Sequence, residues 1–474
     1  MNNQTARRPN NKRPTRSAQQ AKGYSKQTAH VQAVRDGQPL IFGWGGHLSR
    51  AQKTQIQRLA VWSFIGFILF VIVIVFAAFW TNFNVVIPNL SVANVNGQTI
   101  SQDSYRKLVA LEGQLSANKF KGQNGLRAQE TAIKTKQTNA QKAVTTDTTT
   151  ITNLNKQITA LPANSSKKAG LEAQLTTATA KKTQDTKDVT NYTNQYTSLS
   201  NQESIQEELF TQSQVANDSV EWLQEDILIR NWLKTQSPAI QNQINPSSSA
   251  ITNALNSFKA NLPSGTTYSS FLQTSNVSDG DMQTAMTVIT RRANMQTYEA
   301  SLIKTPARQV DARAITLATT ADAQKYLKQL QGGANFATIA KAQSLDSNTK
   351  TKGGELGWLA NGEYMLNDGS NLGVTIDNWI MDPKRTVNEL SSVLSENGTF
   401  HILQIENIDP SRAIDSTTLS SLKTNALKYW VAEQKAHGAK VSDPDSTILL
   451  NTSNMPSWLP ASAPSTATAV STGG

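Results

Sequence analysis

Leu59 to Trp80 reads LAVWSFIGFILFVIVIVFAAFW, twenty-two residues without a charge or a proline. A helix of that length spans about 33 Å, enough for the hydrocarbon core of a bilayer. Charge is distributed unevenly around this run. Residues 1–58 carry eleven Lys or Arg and one acid, Asp36, while the rest of the chain shares 34 of the 45 bases and 33 of the 34 acids. The net charge of +11 therefore belongs to one end, and the main body has no excess of bases with which to bind nucleic acid. No Lys or Arg follows the run until Arg106. The positive-inside rule then predicts a single-pass protein of the cell membrane, its N-terminus cytoplasmic and its main body extracytoplasmic. Residues 1–58 are expected to be a basic disordered cytoplasmic segment and 59–80 a transmembrane helix in contact with the lipid bilayer. A cleaved signal peptide is the competing reading. Its apolar region is about 7–15 residues long and ends on small residues, whereas this run continues into Phe79-Trp80.

The chain has no cysteine and four histidines. Disulfides, a thiol nucleophile and a cysteine-based metal site are excluded, and no HExxH, Walker or GxGxxG motif is present. The expectation is chemistry without a metal or cofactor.

Beyond the apolar run, VANVNGQTISQDSYRKL suggests a short strand, an Asn96-Gly97 turn and a helix capped by Ser101. Residues 126–200 are polar, with apolar positions Ile151, Leu154, Ile158, Leu161 and Val189, Tyr192, Tyr196, Leu199 stepping 3-4-3. LPANSS (161–166) interrupts them. Pairing the arms across it, Leu161 with Leu171 and Ile133 with Leu199, gives a near-constant index sum, as an antiparallel coiled-coil hairpin requires. A polar disordered linker is the alternative. Residues 203–305 carry further amphipathic helical periods. Alternation sets in at Val310–Leu317, a strand, followed by helices over Thr320–Gln331 and Phe336–Ala342, and a last helix is expected over Ser416–Gly438.

KTKGGELGWLANGEYM (350–365) is the most concentrated motif. Gly353-Gly354 permits a sharp turn at positive φ, and Gly357 leaves room for a neighbouring chain. With SLDSN before it and GTFHILQIENI after it, the order strand–helix–helix–GGELGW–helix–strand resembles the parvulin-type peptidyl-prolyl cis-trans isomerase. The flanks are similar to the SurA/PrsA-type foldases, in which N-terminal segments and a C-terminal helix build a chaperone domain around the parvulin unit. The resemblance implies an α+β fold. Its parts are the transmembrane helix, a mostly helical chaperone-like domain (81–307) with the 126–200 coiled-coil hairpin inserted, a small parvulin-like α/β domain (308–410), a C-terminal helix (415–440) packing on the helical domain, and a disordered tail (449–474). It also implies Asp346 and His401 as catalytic residues, and Leu356, Met365, Val374 and Trp379 as the lining of a proline slot. Ala314 stands where the family carries its first histidine. The function implied is an extracytoplasmic, membrane-anchored isomerase or foldase for exported polypeptides with X-Pro bonds. The alternative is a holdase chaperone with a degenerate, inactive parvulin domain.

Overall fold

The computed structural model of the protein describes residues 50–367 and 373–462. The expected disorder of the basic N-terminal segment falls almost wholly outside the described residues, as does loop 368–372. The chain forms two compact units, residues 1–85 and 86–474. In the first, α1 (Arg50–Thr81) carries the apolar run. It is the one helix among the described residues long and apolar enough to cross a membrane.

The second unit opens with a hairpin, β1 (Ser91–Val95) and β2 (Gln98–Ser101). Its turn residues Asn96 and Gly97 both stand at positive φ, 50° and 82°, as a two-residue hairpin turn demands. Ser101 accepts from the Ser104 N–H and so caps α2 (Gln102–Lys121), whose Tyr105, Leu108 and Leu111 are buried at helical spacing. They meet α5 (Gln212–Leu233), α7 (Ser248–Ala260) and α9 (Asp279–Leu302) in the main apolar core, with the short helices α6 (Pro238–Ile244) and α8 (Tyr268–Ser275) between them.

Between α2 and α5 stand two long polar helices, α3 (Leu126–Thr159) and α4 (Lys168–Leu209). They run antiparallel. Arg127 pairs with Glu203 and Glu207, Gln137 Nε2 donates to Thr193 Oγ1 at 2.8 Å, and Lys181 Nζ lies 3.0 Å from Asp147. These contacts fall within about one helical turn of the register drawn from the apolar positions. α4 continues past the expected end at residue 200, because NQESIQEEL (201–209) contains strong helix formers and no Gly or Pro.

A four-stranded antiparallel sheet follows, in the order β4-β3-β6-β5: β3 (Ala307–Leu317), β4 (Glu355–Ala360), β5 (Leu394–Glu396) and β6 (Thr399–Arg412). One face carries Ile315, Leu317 and Ile402 against α10 (Thr320–Gln331) and α11 (Phe336–Gln343). The other carries Val310, Ala312, Ala314, Leu403 and Ile405 against α13 (Glu363–Asn367) and α14 (Val374–Met381). The short α12 (Ser347–Lys350) leads into β4.

Two expectations at the C-terminal end are corrected. The single helix over Ser416–Gly438 is two, α15 (Ser416–Thr424) and α16 (Ala426–Ala436). It breaks at Asn425, whose ψ is 13° and whose Nδ2 donates to the Ser421 carbonyl, a local bond that competes with helix continuation. The tail is ordered at least to residue 462, because Leu449, Met455 and Leu459 bury into the main core and the Trp458 ring lies over Gly113. Residues 463–474 lie outside the described residues. α16 presents Leu427, Trp430 and Val431 to the main core and Ala432 to Met365 and Val374.

Candidate functional site

Gly353 and Gly354 stand at φ of +77° and +85°, a region open to glycine. A Cβ on Gly354 would sit 2.4 Å from the Ala314 carbonyl oxygen, and one on Gly353 2.7 Å from the Ala337 methyl. The two glycines let the chain pass between β3 and α11, and the Ala314 N–H then donates to the Gly354 carbonyl at 2.8 Å. Gly357 has φ of +79° but open space where a Cβ would go. Its need is the dihedral, since its neighbour in the sheet, Ala312 of β3, lies alongside its backbone and leaves the Cβ direction empty.

The turn delivers Leu356 to the face of the sheet that holds His401. His401 lies on β6 opposite Thr316 of β3 and is 6% exposed. Its Nδ1 is 3.2 Å from Thr316 Oγ1 and its Nε2 2.8 Å from Thr399 Oγ1. Burial pushes the imidazole down to about 4, against the upward pull of the Asp346 carboxylate. Asp346 caps α12, accepting from the Asn348 N–H at 2.9 Å and from the Thr349 hydroxyl. The buried Ser344 fixes this loop to the strand, its Oγ accepting from the N–H groups of Thr316 (3.2 Å) and Asp346 (3.3 Å). Between them Leu345 is 58% exposed.

Half-buried Leu356 and Trp379 pack on the cluster of Val310, Ala312, Ala314 and Leu403, and the Arg385 guanidinium lies 5.0 Å from the Trp379 ring centroid. Met365 and Val374 do not join them. Both are buried against Ala432 and Tyr429 of α16, and Tyr364 instead belongs to the cluster on which Leu356 and Trp379 pack. Consecutive residues on a helix point about 100° apart, so a one-residue offset in α13 sends Met365 to α16 and Tyr364 to the sheet. The reading from sequence missed Tyr364, Thr316, Thr399 and Ser344. Thr316 had a signal, since it lies two residues from Ala314 on one strand and so shares its face.

Asp377, on α14, is fully buried. Its Oδ2 accepts from the Gly362 N–H at 2.9 Å and from the Tyr429 hydroxyl at 3.0 Å, and burial pushes its carboxyl up to about 7. A separate cleft of about 390 Å³ opens between the end of α9, the start of β3 and α15–α16, lined by Glu299 and Leu302 among others. None of the six expected site residues lines it.

Residues 302–407 match the family described as rotamase, PPIC-type PPIASE domain. The chain is 26% identical over 111 residues to the periplasmic chaperone PpiD of Buchnera aphidicola subsp. Schizaphis graminum, covering 23% of this chain and 16% of that protein. It is 35% identical over 85 residues to the foldase protein PrsA of Exiguobacterium sibiricum, covering 16% and 26%. The chain thus spans about a quarter or less of the length of the curated relatives it matches. Among solved structures, peptidylprolyl isomerase PrsA from Bacillus anthracis aligns with a TM-score of 0.24 at 16% identity, over 46% of this chain and 97% of that one. The parvulin domain of PpiD from E. coli aligns with a TM-score of 0.18 at 24% identity, over 22% and 93%. The segment that holds the glycine turn, Asp346, Leu356 and His401 is thus a PPIC-type peptidyl-prolyl isomerase domain.

Proposed function

We propose that this chain is a membrane-anchored foldase that isomerises X-Pro bonds in exported polypeptides, with the slot beside His401 as its site. The observation that carries the reading is an apolar surface of Leu356, Trp379 and Tyr364 on the same sheet face as a buried, neutral His401, inside a segment that matches the isomerase family. Prolyl isomerisation breaks no bond. It requires rotation about an amide with a barrier of about 18–20 kcal/mol. A twisted amide loses resonance, its carbonyl becomes less polar, and an apolar slot binds that form better than the planar one. Leu356 and Trp379 grip the proline ring, His401 and Asp346 shape the floor, and Leu345 offers an apolar contact to the flanking client chain. Met365 and Val374 act behind the slot by seating α13 and α14 on α16.

α1 anchors the chain in the bilayer with its basic end in the cytoplasm. The helical elements from 81 to 307, closed by α15 and α16, form the chaperone body around the isomerase segment (308–410), and α3 and α4 form a coiled-coil hairpin. Two relatives are named periplasmic chaperones, which agrees with a body outside the cytoplasm. A protease-coupled assay with a proline peptide on the full chain is expected to show accelerated cis-trans exchange, reduced by Leu356→Ala. A reporter fused after Gly474 is expected to be active only outside the cytoplasm.

Ala314 favours a second reading, a holdase whose isomerase segment is inactive. Full suppression of client aggregation by a chain that gives no acceleration in the peptide assay would decide for it.

A further inference from the structure

The loss of a histidine at Ala314 leaves His401 to be held by other groups, and both ring nitrogens already have a partner. A threonine hydroxyl has one proton. That of Thr399 is directed at the Glu396 carbonyl, 2.9 Å from Oγ1. Thr399 Oγ1 therefore meets His401 Nε2, at 2.8 Å, with a lone pair, and the proton in that contact belongs to the ring. A neutral imidazole protonated at Nε2 is bare at Nδ1. The partner of Nδ1 is Thr316 Oγ1 at 3.2 Å, which must donate.

We propose that Thr316 and Thr399 are positioning residues that hold His401 as the neutral, Nε2-protonated imidazole through a one-way chain, Thr316 O–H to Nδ1, Nε2–H to Thr399 Oγ1, Thr399 O–H to the Glu396 carbonyl. This chain stands in for the histidine pair that Ala314 breaks, and it rests on the isomerase reading of the slot. It also assigns His401 its part. With both nitrogens engaged and the ring 6% exposed, His401 exchanges no proton with the client. It is a rigid, uncharged floor for Leu356 and the proline ring. Thr316 is itself fixed, since its N–H donates to the buried Ser344 Oγ and its carbonyl accepts from the Leu345 N–H at 2.8 Å. The chain is thereby tied to the loop that carries Asp346. The depressed pKa of the ring agrees with an imidazole whose two contacts satisfy its neutral form.

The test is nitrogen NMR of the full chain in lipid nanodiscs with ring-labelled histidine, His401→Gln identifying the His401 signals among those of the four histidines. At pH 7 the expected result is a pyrrole-type Nε2 and a pyridine-type Nδ1, both unchanged down to about pH 5. Thr399→Val is expected to destroy that pattern and lower kcat about tenfold with KM unmoved, and Thr399→Ser to restore both. Thr316→Val and Thr316→Ser are expected to behave in the same way. An Nδ1-protonated ring, an imidazolium at pH 7, or a pattern untouched by both valine variants would overturn the proposal. The wild-type spectrum decides even if the variants misfold. An intact chain in a protein without isomerase activity would count against the proposed function and leave this assignment standing. An active enzyme with the opposite tautomer would do the reverse.

Discussion

Ala314 is 3% exposed and sits among Val310, Ala312 and Leu403, so the space of the missing histidine has been filled. Ala314→His is expected to overpack this face and destabilise the protein by about 1–3 kcal/mol, read by denaturant unfolding, without raising isomerase activity. The pH dependence of His401 has a definite sign. Its ordinary pKa of 6.5 holds in the unfolded chain and about 4 in the fold. Between those values the unfolded chain binds the extra proton, so the stability is full above pH 6.5 and declines as pH falls towards 4. The decline is about 2 kcal/mol after discounting for the water that still reaches the ring, and His401→Gln is expected to remove it from a melting series over that range. At this scale the sequence was legible where chemistry is local: the glycine turn and the strand under His401. It was silent on Thr399, because a threonine beside a hairpin turn reads as turn chemistry until its hydroxyl is seen against a ring. The choice between Tyr364 and Met365 depended on where α13 begins, and helix starts without a capping residue leave little trace in sequence.

Helices with strong caps and periods were readable as elements. Ser101, Thr319 and Asn335 each accept from the N–H three residues on, at the starts of α2, α10 and α11. The break at Asn425 was not readable, since STTLSSLKTNALKYWVAEQ keeps its apolar period across it. The paired long helices were foreshadowed by spacing alone. Their seam is half-buried at Leu171, Leu175, Val189, Tyr192 and Tyr196 and fully buried at Leu154 and Asp147. A short bis-maleimide linker is expected to join cysteines placed at Gln137 and Thr193 within one chain, at dilutions where products between chains are absent. Equal yields for Gln137 paired with a cysteine at Thr177, some four turns away, would mean that the two helices do not hold this register in solution.

Across the whole molecule, α16 is the element shared by the helical body and the isomerase domain. Its Tyr429 hydroxyl reaches Asp377 at 3.0 Å and Asn361 Oδ1 at 3.2 Å. Asp377 Oδ1 and Glu433 Oε1 are both buried without a hydrogen-bond partner among the described residues, and the Glu433 charge adds to the burial that raises Asp377. A raised carboxyl pKa favours the fold in its neutral form. This contribution is therefore full below pH 3.8 and eroded as pH rises to about 7. Asp377→Asn keeps the shape without the charge. It is expected to raise the Tm above wild type at pH 8, by the equivalent of about 1–3 kcal/mol, by less at pH 5, and to leave it unchanged below pH 3.8. Val441 bridges to Val95, Tyr105 donates to the Leu449 carbonyl, and Trp458 covers Gly113, so elements made first during synthesis are closed by elements made last. The sheet of the isomerase domain, residues 307–412, has its strands within one stretch of chain. A nascent polypeptide thus holds all four strands of that sheet before α16 exists to seat α13 and α14 or to cover the apolar faces of α2 and α5, so both halves of the unit wait for one late helix.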